Sequence, residues 1–153
     1  MRRVLVACLG NPLMGDDGVG FRVARELVKR GLSDVVFCGS DATAILSHVD
    51  GVKRLIVVDT VDWGSEPGSI IVARLEEVEE EPSRWAHNLS PTRLIKLIKS
   101  LSCGDVEVYI VGVQPKNVAP SEELTEPVKR AVELAVSKVE ELVSELRDFR
   151  ANA

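Results

Sequence analysis

Two adjacent carboxylates, Asp16 and Asp17, stand where an α/β protein more often places a phosphate clamp. They follow the apolar run Val4–Leu9, a break at Gly10 and a short loop through Asn11 and Gly15. Helical spacing begins just beyond them. An early strand-to-helix turn is a position where such folds build sites. A phosphate there would need backbone N–H groups and a lysine. This turn has no lysine and carries two negative charges, so it calls for a cation. A further carboxylate, Asp59, ends the apolar run Arg54–Val58. In a sheet that starts in its middle, the first and third strands are neighbours, and acids at their ends meet in one crevice. Two carboxylates in one crevice repel, which raises one pKa or recruits a cation. Chemistry alone leaves Asp16 open beside Asp17, because either can serve only as a turn residue. Asp62 ranks behind Asp59 because it falls in the following turn.

The chain has two histidines. His48, beside Val49 and Asp50, suits a surface or capping position late in a helix. His87 lies in Trp85-Ala-His-Asn-Leu-Ser-Pro91, a loop entering a later helix. It is weak evidence by itself, but with two carboxylates it would complete a mixed nitrogen and oxygen set suited to zinc, nickel or a similar ion. Thiol or hydroxyl catalysis fares worse. Cys8 sits within the first strand, no Gly-x-Ser-x-Gly elbow occurs, and Cys38 is the only thiol near the expected crevice. A dyad of Asp17 and Asp59 sharing a proton is a mechanistic alternative that leaves His87 without a task.

The elements that must hold these residues alternate. Arg3–Leu9, Asp34–Cys38, Arg54–Asp59, Ser69–Leu75 and Glu107–Val113 read as strands, mostly solid apolar runs. Phe21–Lys29 has helical spacing with Gly31 as its stop. Ser40 or Asp41 caps a second helix through about Val49, Ser90-Pro91 opens a third to about Leu101, and Thr125-Glu-Pro127 opens the last, to about Leu146. The link Gly64-Ser-Glu-Pro-Gly68 is too short for a crossover helix, so the fourth strand runs antiparallel to the third. Glu76–Glu81 reads as a solvated segment and Arg147–Ala153 as a frayed tail. The expected fold is a doubly wound α/β domain spanning 1–153, its sheet mostly parallel with one reversed strand, between helices on both faces.

Composition narrows the function. Hydrophobic residues are 45% and charged residues 28% of 153, an ordinary globular balance. The net charge of −5 disfavours nucleic-acid binding and anionic membrane surfaces. No apolar run approaches the ~20 residues of a membrane span, so no membrane insertion is expected. Cys8, Cys38 and Cys103 are odd in number and widely spaced, which indicates neither a disulfide framework nor a zinc knuckle and suits a reduced, cytoplasmic compartment.

The stretch Gly10-Asn11-Pro-Leu-Met-Gly15-Asp16-Asp17-Gly18-Val-Gly20 resembles the signature of the [NiFe]-hydrogenase maturation endopeptidases. Leu55-Ile-Val-Val-Asp59-Thr-Val-Asp62, His87-Asn88-Leu89, Gly112-Val-Gln114-Pro115 and Thr125-Glu-Pro127 match in the same order, so the resemblance covers essentially the whole chain. It is most similar to the branch serving membrane-bound, formate-hydrogenlyase-type hydrogenases. The resemblance implies a five-stranded twisted sheet with one antiparallel strand, and a metal-contacting and catalytic trio at Asp17, Asp59 and His87. Its substrate-facing loops fall on Gly10, Asn11 and Asp16, and on Gly39, Ser40 and Asp41. The second loop departs from the family pattern: Asp-Gly-Gly-Thr or Asp-Gly-Gly-Ser is usual, whereas this chain has Cys38-Gly39-Ser40-Asp41.

The activity so implied is removal of a C-terminal peptide from the large-subunit precursor of a [NiFe] hydrogenase. The nickel is carried by that precursor, and no organic cofactor is implied. An open Asp/Asp/His set fits this order of events, because an empty site can grip the precursor's nickel and so test whether loading has happened. The alternatives are a non-catalytic α/β module that senses a nucleotide or metal, and a maturation chaperone that holds the precursor without hydrolysis. The first lacks a phosphate clamp, having no Gly-Lys-Ser/Thr.

Overall fold

A computed structural model describes residues 3–80, 99–100 and 105–151. Its strands are β1 (Arg3–Cys8), β2 (Val35–Phe37), β3 (Val52–Thr60), β4 (Ile70–Arg74) and β5 (Glu107–Val113). Its helices, among the described residues, are α1 (Val19–Lys29), α2 (Leu75–Glu80) and α3 (Glu126–Ala151). The strands form one sheet in the order β2-β1-β3-β5-β4. β1 pairs in parallel with β2 and β3, and β3 with β5, while β4 lies antiparallel on β5 at the edge. The chain therefore starts in the sheet's interior, adding β2 on one side of β1 and β3 on the other, so the strand order reverses at β1/β3. That placement makes the carboxyl ends of β1 and β3 neighbours, as the topology rule requires of a switch point.

Strand alternation distributes the core between two layers. Val4, Val6 and Cys8 of β1, Ile56 and Val58 of β3, and Val111 and Val113 of β5 pack with α1 and α3. The helices answer with Val19, Val23 and Leu27, and with Val128, Ala135, Val136, Val139 and Val143, all buried at helical spacing. On the other face Leu5, Ala7, Leu55, Val57, Val108 and Ile110 pack with Ala42, Ile45 and Leu75. β1 and β3 are buried on both faces, which is why they read as unbroken apolar runs. No helix among the described residues is long and apolar enough to cross a membrane.

Three local expectations change. The helix expected from Ser40 to Val49 is a short 3-10 segment, Ala42–Ser47, capped by the Asp41 side chain, which accepts from the Thr43 N–H at 3.0 Å. Few residues separate that cap from the turn at Gly51, and so short a segment favours the tighter coil over an α-helix. The acidic stretch after β4 is the helix α2, because Leu75 is fully buried at its start and Glu76 pairs with Lys99 and Arg74. The last helix runs on to Ala151 rather than fraying from Arg147, since no glycine or proline interrupts it. The expected helix from Ser90 to about Leu101 falls outside the described residues save for 99–100, and His87 falls outside them altogether.

Candidate active site

Beyond β1 the chain turns through a loop shaped by glycine. Gly10 has φ of +132°, and a Cβ placed there would sit 2.0 Å from the Asp17 carbonyl oxygen. Only glycine allows this close approach. The backbone N–H of Gly10 donates to the Gly39 carbonyl at 2.8 Å, which ties this loop to the one after β2. A single 3-10 turn, Gly15–Gly18, then carries both acids into α1.

The two acids separate at this turn. Asp16 is fully buried, and four donors converge on its carboxylate: the N–H groups of Lys116, Asn117 and Thr125 at 2.9, 3.0 and 2.7 Å, and the Thr125 hydroxyl. Burial acts to raise its pKa, but the N–H groups of Asn117 and Thr125, with the Thr125 hydroxyl and the Lys116 N–H, outweigh that and hold it below the usual carboxylate value. Its charge also lies against the N-terminus of α3, where the helix dipole favours an anion. Asp16 is thus a rivet between the β1 loop and the loop from β5 to α3. Backbone bonds reinforce it: Gly15 donates to the Ser121 carbonyl at 2.8 Å and Ser121 to the Leu13 carbonyl at 3.0 Å. Full burial withdraws Asp16 from the substrate-facing set and from the choice of metal ligands that sequence chemistry left open.

Asp17 turns the other way. Its Oδ2 accepts from the Asn11 N–H at 2.8 Å, and its Oδ1 accepts from the Thr60 hydroxyl at 2.9 Å. Thr60 closes β3 directly after Asp59, and its own N–H donates to Asp59 Oδ1 at 2.8 Å. Alternation places Thr60 with Ile56 and Val58 on the α1 side and Asp59 with Val57 on the other. One residue therefore bridges the two carboxylates, its hydroxyl serving Asp17 and its amide serving Asp59. Sequence reasoning passed over Thr60. The only signal available was a hydroxyl residue immediately after a strand-ending acid.

Asp59 is 8% exposed. Burial first, and the neighbouring Asp17 charge second, push its pKa up to about 7, against the opposing pull of the Thr60 N–H and hydroxyl. Across β5 it is in register with Gly112, where a Cβ would meet Val61 at 2.8 Å. Val61 and Ile71 fill the space beside Gly112, so the position takes glycine. Asp62, the second-ranked acid, is exposed and engaged in its own turn: it accepts from the Gly64 N–H at 3.1 Å and from Gln114 Nε2 at 2.9 Å. Gln114 in turn accepts from Trp63 and Ser65, which fixes the β3–β4 turn against the end of β5.

The remaining candidates sort by exposure and partners. Asn11 supplies its N–H to Asp17, while its side-chain oxygen holds the Leu13 N–H at 3.0 Å. Ser40 and Asp41 are exposed, Asp41 being the cap of the 3-10 segment, and His48 is exposed at that segment's end. Burial raises the pKa of Cys8 far above the usual thiol range, and burial together with the Asp41 charge raises that of Cys38. A thiol held protonated is a poor nucleophile, so neither cysteine competes with the carboxylates. Among the described residues no three His, Cys, Asp or Glu side chains form a metal-binding group. Asp17 and Asp59 are the two acids of the expected trio that fall within the described residues, and Thr60 links them.

Fold and site together define a doubly wound α/β domain with two carboxylates at its switch point. Comparison with known proteins makes the class specific. The family model described as HycI, hydrogenase maturation protease, matches residues 21–142. The chain is 30% identical over 141 residues to hydrogenase 3 maturation protease of Escherichia coli, covering 89% of this chain and 88% of that protein. Its fold is similar to that of the [NiFe] hydrogenase maturation protease HybD from Thermococcus kodakarensis, with a TM-score of 0.80 and 31% identity over 93% of this chain and 99% of that one. E. coli HybD, a hydrogenase-maturating endopeptidase, superposes with a TM-score of 0.78 at 26% identity, over 95% of this chain and 93% of that one. The chain belongs to the hydrogenase maturation protease family.

Proposed function

We propose that this protein is an endopeptidase that removes the C-terminal peptide from the nickel-loaded large-subunit precursor of a [NiFe] hydrogenase. Asp17, Asp59 and His87 contact the precursor's nickel. The observation that carries the reading is the carboxylate pair at the β1/β3 switch point, bridged by Thr60, with Asp59 pushed up to about 7. A buried acid with that pKa exchanges a proton near neutral pH, as a general base in hydrolysis must. The same pair is short of positive charge, so a cation arriving on the substrate favours the ionised form of both acids and displaces the Asp59 proton. Cleavage is thereby coupled to loading. Thr60 orients both acids by a hydrogen bond to each, and a proton-sharing aspartic dyad would leave His87 without a task.

The Gly10–Asn11 and Gly39–Asp41 loops, joined by the Gly10 to Gly39 bond, flank the pair and meet the precursor. The precursor in this reading belongs to a membrane-bound, formate-hydrogenlyase-type hydrogenase, the branch that the sequence motifs resemble most. A cytoplasmic setting belongs to the same reading and suits Cys8 and Cys38, both free thiols.

Intact-mass measurement tests the reading. Purified protein mixed with nickel-loaded precursor should shorten it by a C-terminal peptide and leave nickel-free precursor whole. Stable complex formation without any mass loss from the loaded form would turn the assignment into a chaperone.

A further inference from the structure

A groove of about 210 Å³ lies on the outer side of the Gly15–Gly18 turn, lined by Pro12, Leu13, Phe21, Arg22, Arg25 and Leu124, with Glu122 at its edge. It is smaller than the ~300 Å³ at which cofactor and ligand pockets begin, so a nucleotide does not fit and one or two side chains of a peptide do. Its walls are mixed, with Leu13, Phe21 and Leu124 apolar and Arg22 and Arg25 charged. Leu13, at the tip of the loop, is 59% exposed and so available to a partner's side chain.

The cations of this groove differ from their neighbour on the same helix. Arg30 is tied by ion pairs to Glu26, Glu133 and Glu140. Arg22 and Arg25 lie one helical turn apart and pair with no carboxylate among the described residues; Arg25 lies 5.6 Å from the centre of the Phe21 ring. Two arginines against one glutamate leave the groove positive in a chain whose net charge is −5. An acidic segment repelled by most of this surface is accepted here.

We infer that this groove seats the precursor's C-terminal extension, holding an apolar side chain between Leu13, Phe21 and Leu124 and a carboxylate against Arg22 and Arg25. The inference rests on the proposed function and adds the means of substrate recognition. Two features select the extension over the precursor's body. Gly15 and Gly18, which line the groove, are the two ends of the turn that carries Asp17, so the groove and the carboxylate pair share one short piece of backbone. A C-terminal peptide also always brings a carboxylate, its own terminus.

The test uses the full-length protein, nickel-loaded precursor and a fluorescein-labelled synthetic peptide of the extension. For wild type, peptide anisotropy should report binding that weakens as salt rises from 0.05 to 0.5 M. The double variant Arg22→Glu/Arg25→Glu should lose roughly tenfold or more in peptide affinity, with the loss in cleavage falling on KM rather than kcat. Leu13→Asp, on the exposed loop tip, should weaken the peptide independently of the arginines, and melting curves establish that both variants are folded. Equal peptide affinity and equal KM in wild type and both variants, with wild type cleaving normally, would overturn the groove assignment. Absence of cleavage by wild type would overturn the protease reading instead, and the peptide affinities would still decide the groove.

Discussion

Asp16 and Asp17 are neighbours in sequence and opposites in the fold. Asp16 is buried and supplied with four donors, so its charge is cheap to keep and its pKa falls. Asp59, the partner of Asp17 across the switch point, is just as withdrawn from water, yet it sits beside another negative charge and its pKa rises to about 7. A buried carboxylate with enough donors holds structure together. One short of donors and facing a like charge stores free energy that a cation or a proton can release. The difference separates scaffold from chemistry within three side chains.

The comparison is most directly broken at the pair itself. Asp17→Asn or Asp59→Asn should reduce cleavage of loaded precursor by ~10³-fold or more while far-UV circular dichroism stays native. Comparable cleavage by either variant would remove that acid from the chemistry. Asp16→Ala should act on stability instead, costing roughly 3–5 kcal/mol in denaturant unfolding, because three backbone N–H groups lose their acceptor at once. A cost below ~1 kcal/mol would mean that Asp16 is no rivet.

Two smaller effects sharpen the contrast by sign. Asp59 has a folded pKa of about 7, above its unfolded value of 3.8. Its contribution to stability is complete below about pH 4 and is lost as pH rises through 7. Asp59→Asn should therefore melt close to wild type near pH 4 and above it at pH 8. Asp16 has a lowered pKa, so its contribution is present above its unfolded value and fades as pH falls. The penalty of Asp16→Ala should shrink on acidification, opposite to the trend at Asp59. Smallest of all, Thr60→Val removes the hydroxyl donor to Asp17 but keeps the amide to Asp59. A loss of about 3- to 30-fold in kcat/KM, recovered by Thr60→Ser, is expected for a single orienting hydrogen bond. Failure of serine to recover it would assign the effect to packing.

The scaffold was legible because it is written in periodicity. Unbroken apolar runs at β1 and β3 announced strands buried on both faces, and the stripe from Val128 to Leu146 announced a helix lying on them. Gly10 marks a tight turn, and the short Gly64–Gly68 link requires a reversed strand. The 3-10 segment and α2 are not legible in periodicity because both are short, and short elements are decided by caps and by one buried anchor rather than by period. Ile45 and Leu75 are those anchors.

The sequence by itself determined the sheet, the position of the switch point and the pair of strand ends that would bring acid side chains together, since local periodicity and loop length limit topology to very few choices. Which of the acids would face solvent was a different matter. Asp16 and Asp17 have the same chemistry and lie one residue apart, so no local rule separates them. The loop at residues 116–125, a hundred residues away, does so by offering Asp16 its N–H groups. Thr60 likewise gains its meaning only when β1 and β3 stand side by side and its hydroxyl reaches Asp17. Hydrogen bonding and charge repulsion depend on distance in space, and that distance exists only once the chain has folded.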